Sequence, residues 1–301
     1  MGIARGAARL ILEECSKRPF EGTVLQLGRQ KFFFNEAQLE SWAPLHDVKL
    51  VQDIPVTKSA DSLIDGDNID DKTFFHKIGF KNVESSDYSD FQEADHVFDL
   101  NEPVPDHLHN KFDVIVDMGT IEHIFNISQV LKNLHDMLKE GGRIIHMLPS
   151  SNWVDHGFYM FSPTLFHDYY SANNWQIEMA RIIELTRRHD VDPWRIYDYV
   201  PGALNPLSSG GFDKGYLINI FFVVTKTSRS LSSIIPQQSR YQAGKWNENF
   251  IQSNEKVSSL KSLLQNIIGP LKSVPLLYSV IMSISSFISR KSRMPPIVAK
   301  Y

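Results

Sequence analysis

Two histidines and three aspartates of this 301-residue chain stand where chemistry could be done. His123 follows a short apolar run, Phe112–Asp117, and His156 lies in residues 150–159, a stretch dense in polar and aromatic side chains. Histidine titrates near neutral pH, so either ring suits a general base toward a hydroxyl group. His123 within Glu122-His123-Ile124 suits a structural hydrogen bond equally well. Asn152, Trp153 and Tyr159 could wall a substrate, although aromatics there also fit an ordinary core. Asp87, Asp99 and Asp117 each end a strand-like run. A carboxylate at such a place can accept hydrogen bonds from ribose hydroxyls or from an adenine amino group. Aspartate is also common at turns for its own sake, and it is the ordered set that favours function. Upstream, Gly28-Arg29-Gln30 follows Thr23–Leu27, where a nucleotide-binding α/β protein places its glycine-rich loop.

These residues need a parallel sheet to bring them together. Phe112–Asp117 is rich in Val and Ile, as expected of a strand buried on both faces. Asn126 followed by Gln129 resembles a capping box. Val130, Leu131, Leu134, Met137 and Leu138 share one helical face, Gly141-Gly142 ends that helix, and 143–148 is a second strand stopped by Pro149. Other strands are expected at 80–86, 94–98, 175–185 and 216–226, with an extra one at 47–53. Helices are expected over 1–18, over 31–43 and from the Asp70 or Asp71 cap to Gly79. A further helix begins at Ser162-Pro163. The last two strands enclose an irregular insertion, 187–211, and suit an antiparallel edge.

Composition narrows the function classes. An apolar content of 42% supports a full core, and a net charge of −4 makes no global case for nucleic acid. One cysteine, Cys15, excludes an internal disulfide and a thiolate metal cluster. No metal set stands out, because His109, His123, His146 and His156 are dispersed in the sequence. His146, inside an apolar strand, reads as a core histidine. The acidic run 61–71 lacks the glycine and glutamate of a calcium loop. Leu10-Ile11-Leu12 is too short for a signal peptide, so a cytoplasmic protein is expected, with peripheral contact to a membrane as an option. Residues 255–293 carry Leu260, Leu263, Leu264, Ile267, Ile268 and Leu271 at helical spacing, followed by Arg290, Lys291 and Arg293. That segment suits packing on the domain, self-association or a membrane surface.

The pieces TVLQLG, HVFDLN, FDVIVDMGTIEHI and LKNLHDMLKEGGRIIHMLPS, in this order and spacing, resemble the class I S-adenosylmethionine-dependent methyltransferases of the type 11-like group. The resemblance covers roughly residues 22–226. It implies an α/β fold with a doubly wound, mostly parallel seven-stranded Rossmann-like sheet and a C-terminal helical extension. The implied organisation is a methyltransferase-like domain at 1–227 (insertions about 44–79 and 187–215), a linker at 228–254 and helices at 255–301. S-adenosylmethionine is the implied cofactor. Gly28 matches the turn beside its methionine part, Asp87 the ribose ligand, and Asp99 and Leu100 the adenine pair. Asp117, Met118 and Gly119 match the loop beside the sulfonium. The expected acceptor is a small or sugar-like molecule, methylated at oxygen, in a pocket shaped by 194–199. Arg29 departs from the glycine-rich pattern, either pairing with the cofactor carboxylate or filling the pocket. In the second case the chain would be an inactive binding or assembly module. Gly28 and Asp87 also lie 59 positions apart, against about 20 in the usual dinucleotide motif, so an insertion must separate the first strand from its partner.

Overall fold

A computed structural model describes residues 2–59, 66–90, 93–207, 211–213, 215–241 and 294–301. In chain order the strands are β1 (Gly2–Ile3), β2 (Thr23–Leu27), β3 (Lys31–Phe32), β4 (Asn82–Asp87), β5 (His96–Val97), β6 (Phe112–Asp117), β7 (Leu138–Ser151), β8 (Gln176–Leu185), β9 (Arg195–Asp198), β10 (Leu217–Thr225) and β11 (Ile297–Lys300). The α-helices are α1 (Arg5–Lys17), α2 (Glu36–Trp42), α3 (Asp71–Lys77), α4 (Ile127–Met137) and α5 (Pro163–Ala172).

The main sheet runs β11-β9-β8-β10-β7-β6-β2-β4-β5. The five strands β7, β6, β2, β4 and β5 are parallel to one another. β10 lies antiparallel between β7 and β8. The chain builds outward from β2 through β4 to β5, then returns to the other side of β2 with β6 and β7. The order therefore reverses between β2 and β6, and the crevice beyond their carboxyl ends is the place where open α/β sheets bind ligands. Thr120 marks that crevice, its hydroxyl donating to the Leu27 carbonyl at 2.5 Å.

The central strands are apolar because they are covered on both faces. Phe112, Val114, Ile115 and Val116 of β6 are buried, as are Ile218 and residues 220–224 of β10. The insertion between β2 and β4 contributes its own core. Phe32, Phe34, Trp42, Phe74 and Phe75 meet with ring centroids 5.0–6.0 Å apart, several of them edge to face. Helix α3 starts at the expected cap, with the Asp70 carboxyl accepting from Thr73 N at 2.8 Å.

Several local expectations change. Helix α2 begins at Glu36 rather than Lys31, because Asn35 and Gln38 form the capping box and Lys31-Phe32 pairs with β1 instead. Residues 47–53 form no strand; Asp47 and Asp53 adopt positive φ, which interrupts extended pairing. The α4 helix stops at Met137, so Gly141-Gly142 does not end it. The glycines lie within β7, where the register against β6 shifts and Gly141 N donates to Lys226 O at 2.7 Å. Pro149 does not stop β7, since its missing donor falls beside a register irregularity in β10. The sheet gains two strands beyond the expected seven, β9 and β11. Residues 297–300 are therefore extended rather than helical, consistent with Pro295-Pro296 ahead of them and Ile-Val within them. The helical reading of 255–293 lies outside the described residues, as do Asp61 and Asp65 of the acidic run.

The chain divides into two compact units. The first, Met1–Tyr199 with Phe212–Ile235 and Ile297–Tyr301, contains the sheet. The second, Val200–Gly211 with Pro236–Pro296, shows two short 3-10 turns among its described residues, Asn205–Leu207 and Ser239–Tyr241. Among the described residues no helix is long and apolar enough to cross a membrane.

Candidate active site

Gly28 ends β2 with φ +68°, in the left-handed region where glycine carries no penalty. A Cβ there would come within 3.2 Å of the Thr120 hydroxyl oxygen, so the turn stays open only because no side chain is present. Its amide donates to Ser86 O at 2.7 Å, tying the turn to β4. Arg29 pairs with Asp71, a buried residue in the first turn of α3, with Nε 3.3 Å from Oδ2. Gln30 folds back, donating to the Leu27 and Gly28 carbonyls at 3.0 and 3.1 Å.

Asp87, half-buried at the end of β4, spends one oxygen on Ser89 N at 3.1 Å. Asp99 accepts from Asn101 N at 2.8 Å, and Leu100 beside it is buried. The two segments are joined by Phe98 N donating to Asp87 O at 3.1 Å. Buried Asn133 of α4 holds this loop. It donates to Leu100 O and Glu102 O at 3.0 and 2.8 Å and accepts from Val104 N at 3.2 Å. Two carboxylates so arranged, with a glycine turn next to them, suit the hydroxyl and amino groups of an adenosyl cofactor.

Asp117 has a different use from the one its position suggests. It is fully buried, and its Oδ2 lies 2.7 Å from His146 Nδ1, whose Nε2 lies 2.7 Å from the Tyr170 hydroxyl. Burial pushes the Tyr170 phenol well above its ordinary pKa, so the phenol is the donor. His146 then accepts at Nε2 and donates from Nδ1 to Asp117. Oδ1 of Asp117 accepts from Thr120 N at 3.2 Å and shapes the loop. Met118 and Gly119 are buried as well, and Thr120 is the first residue of this loop with exposed surface.

His123 and His156, expected as separate candidates, come together with ring centroids 5.1 Å apart. Between them is Glu122, a residue assigned no role by its position in the sequence. Glu122 is fully buried in the 3-10 turn Ile121–His123, and neither carboxyl oxygen has a hydrogen-bond partner. Its Oε1 lies 3.5 Å from His156 Nε2 and 3.7 Å from His123 Nε2. Burial, with the Asp117 charge nearby, raises the Glu122 carboxyl to about 8. Burial also lowers both histidines, His156 further through His123. Neutral imidazole, the form that accepts a proton, is thereby favoured at neutral pH. The only sequence signal for Glu122 was a charged residue inside Ile-Glu-His-Ile.

The loop after β7 is fitted closely onto this cluster. Tyr159 N donates to Glu122 O at 3.2 Å, and a Cβ on Gly157 would come within 2.9 Å of that oxygen. A cavity of about 270 Å³ opens there, lined by His123, Asp155, His156, Gly157 and Phe158. Asn152, Trp153 and Tyr159, expected as substrate-wall residues, are not among its lining residues, although the Trp153 ring lies 5.0 Å from that of His156. Asn152 donates to Asp213 O and Tyr216 O, Trp153 Nε1 to Asn219 Oδ1 at 2.6 Å, and Tyr159 to Phe125 O at 2.7 Å. Trp153 and Tyr159 can offer aromatic surface more readily than hydrogen bonds. Residues 194–199 do not form the expected pocket wall. Trp194 is buried against Gly6, where a Cβ would sit 2.3 Å from its ring, and Tyr197 and Tyr199 are buried as well.

Residues 60–192 match the family model described as a methyltransferase domain. No curated protein matches. Among solved structures the chain is similar to a geranyl diphosphate methyltransferase in complex with SAM, with 11% identity and a TM-score of 0.39 over 74% of this chain and 85% of that one. It is also similar to Haemonchus contortus phosphoethanolamine N-methyltransferase 2 in complex with S-adenosyl-L-methionine (13% identity, TM-score 0.37, 74% of this chain and 53% of that one). The matched domain contains the aspartate shelf and the Glu122–His123–His156 cluster, set at the switch point of a sheet whose antiparallel strand lies between β7 and β8. Residues 60–192 are thus similar to a methyltransferase domain, and they lie in a largely parallel sheet whose strand order reverses between β2 and β6.

Proposed function

We propose that the protein methylates a hydroxyl of a small or sugar-like acceptor, bound in the cavity beside His156. The observation that carries this reading is the meeting of Glu122, His123 and His156 next to the loop that follows β6. When bound, S-adenosylmethionine supplies a methyl group on a positively charged sulfur. Gly28 and the backbone of 117–119 face its methionine and sulfonium parts; Asp87 holds the ribose, and Asp99 with Leu100 the adenine. His156, supported by His123, receives the acceptor proton as the C–O bond forms and the C–S bond breaks, the bonding pair staying on sulfur. Phe125 and Phe158, both exposed and 5.7 Å apart edge to face, join Trp153 and Tyr159 in offering apolar surface to the acceptor. Such surface suits the C–H face of a sugar or another compact ring. Alignment and exclusion of water supply the rest of the acceleration.

The test is calorimetric titration with S-adenosylhomocysteine, followed by single-turnover methyl transfer to a panel of hydroxylated acceptors. Wild type should bind at micromolar concentration, Asp87→Ala should not, and His156→Ala should bind normally while losing transfer by about 10²–10⁴-fold. Folded wild type that binds no S-adenosylhomocysteine, or His156→Ala that transfers at the wild-type rate, would overturn the reading.

A further inference from the structure

We propose that Glu122, His123 and His156 hold a divalent first-row metal ion that faces the acceptor cavity. Each residue offers one ligand atom, and the three atoms lie within 4.8 Å of one another. The separations from Glu122 Oε1, 3.5 and 3.7 Å, are too long for hydrogen bonds. Neighbouring ligands at about 2.1 Å from a shared ion sit roughly 3–3.4 Å apart, so the two Glu122–histidine separations need to contract by about half an ångström and the two imidazole nitrogens, within 4.8 Å of one another, by up to about 1.5 Å.

The unsatisfied donors give the second argument. Both oxygens of Glu122 and Nε2 of His156 are buried without a partner, and they face one another. A buried carboxyl group with no hydrogen bond is costly and needs a reason. An ion satisfies both residues at once. Glu84 on β4 shows the alternative, a carboxylate already occupied by Lys111 at 2.7 Å and His96 at 2.6 Å. Among the described residues no lysine or arginine forms an ion pair with Glu122.

The supports are rigid and the front is open. Glu122 O is fixed by Tyr159 N, and the absence of a side chain on Gly157 lets the His156 loop close over it. His123 is nearly half exposed, and the cavity leaves room for water or an acceptor oxygen in the remaining coordination positions. Two imidazoles, one carboxylate and open positions form a donor set suited to Zn²⁺, Mn²⁺, Co²⁺ or Fe²⁺. The inference rests on the proposed hydroxyl methylation and changes one step of it, the His156 imidazole serving as a metal ligand in place of the general base. The imidazoles act as ligands, and an acceptor hydroxyl on the ion is acidified and releases its proton to solvent before attack.

Uptake is measured without cofactor or acceptor. Chelator-stripped full-length protein is titrated with Co²⁺, followed by visible absorption and calorimetry. Wild type should take up a single equivalent with the spectrum of a nitrogen–oxygen site. Affinity should fall at least about tenfold in His156→Ala and Glu122→Gln, and not in the surface control His109→Ala. Circular dichroism establishes that each variant is folded, and the loop position of His156 keeps the test decisive should Glu122→Gln misfold. No uptake by folded wild type, or equal uptake by wild type and His156→Ala, overturns the inference. S-adenosylhomocysteine binding without metal uptake would end the metal proposal alone. Metal uptake without S-adenosylhomocysteine binding would end the methyltransferase reading alone.

Discussion

Asp117 and Glu122 stand five positions apart on one connection, both fully buried and both beside histidine, yet their surroundings are opposite. Asp117, His146 and Tyr170 form a closed chain with 2.7 Å contacts in which the donors and acceptors are matched. Glu122, His123 and His156 are separated by 3.5–3.7 Å, and the carboxyl oxygens are matched to nothing. The first arrangement is what a fold needs to bury polar groups safely. The second is what a fold tolerates when a ligand will complete it. Burial and residue type alone do not separate a structural acid–histidine pair from a functional one; the hydrogen-bond inventory does.

Stability should separate the two clusters most clearly. His146→Leu strips a fully buried carboxyl and phenol of their shared partner and should cost about 3 kcal/mol in urea unfolding. Glu122→Gln removes no hydrogen bond and should move the same midpoint by less than about 1 kcal/mol. Comparable losses in both variants would erase the distinction. Tyr170→Phe, which takes one hydrogen bond from the closed chain, should cost about 1 kcal/mol while leaving S-adenosylhomocysteine affinity unchanged.

A third acid extends the comparison away from the crevice. Glu13 is partly buried, which alone would raise its pKa, but the Arg181 fork at 2.6 and 2.8 Å and the Tyr301 hydroxyl pull it down to about 2. A carboxyl depressed in the folded state adds stability above its unfolded value near 4.5, and that stability disappears as pH falls toward 2. Between pH 4.5 and 2.5, wild type should therefore lose stability more steeply than Glu13→Gln in denaturant titrations. Parallel curves would show that the fork is not formed in solution. The smallest effect is expected for Arg29→Ala. Because Arg29 pairs with Asp71, S-adenosylhomocysteine affinity should change by less than about threefold, whereas a blocked pocket would gain much more.

Sequence alone reached the sheet through its most apolar runs. β2 and β6 fall where Val, Leu and Ile cluster, and the Asp70 and Asn126 caps mark true helix starts because capping is decided within four residues. It failed where pairing is decided at long range. Lys31-Phe32 has helical neighbours but pairs with β1, and Gly141-Gly142 resembles a helix end but is absorbed into β7. β4 and β5 carry Ser, Glu and His in place of a clean apolar pattern, which blurred their boundaries. At the site, His123 and His156 were legible as reactive types, but their meeting was not, since 33 residues separate them in the chain. For the same reason the histidines looked too scattered to bind a metal. The partner of Arg29 also depended on α3, an element within the insertion.

The sealed chain through His146 also has a consequence in time. The Tyr170 hydroxyl proton and the His146 Nδ1 proton lie where the Asp117, His146 and Tyr170 side chains bury one another from water. They can exchange with solvent hydrogen only when the middle of the sheet opens. Their exchange rates, followed by NMR in deuterated and protonated water, are a clock for that opening, read at the centre of the molecule rather than at its edges.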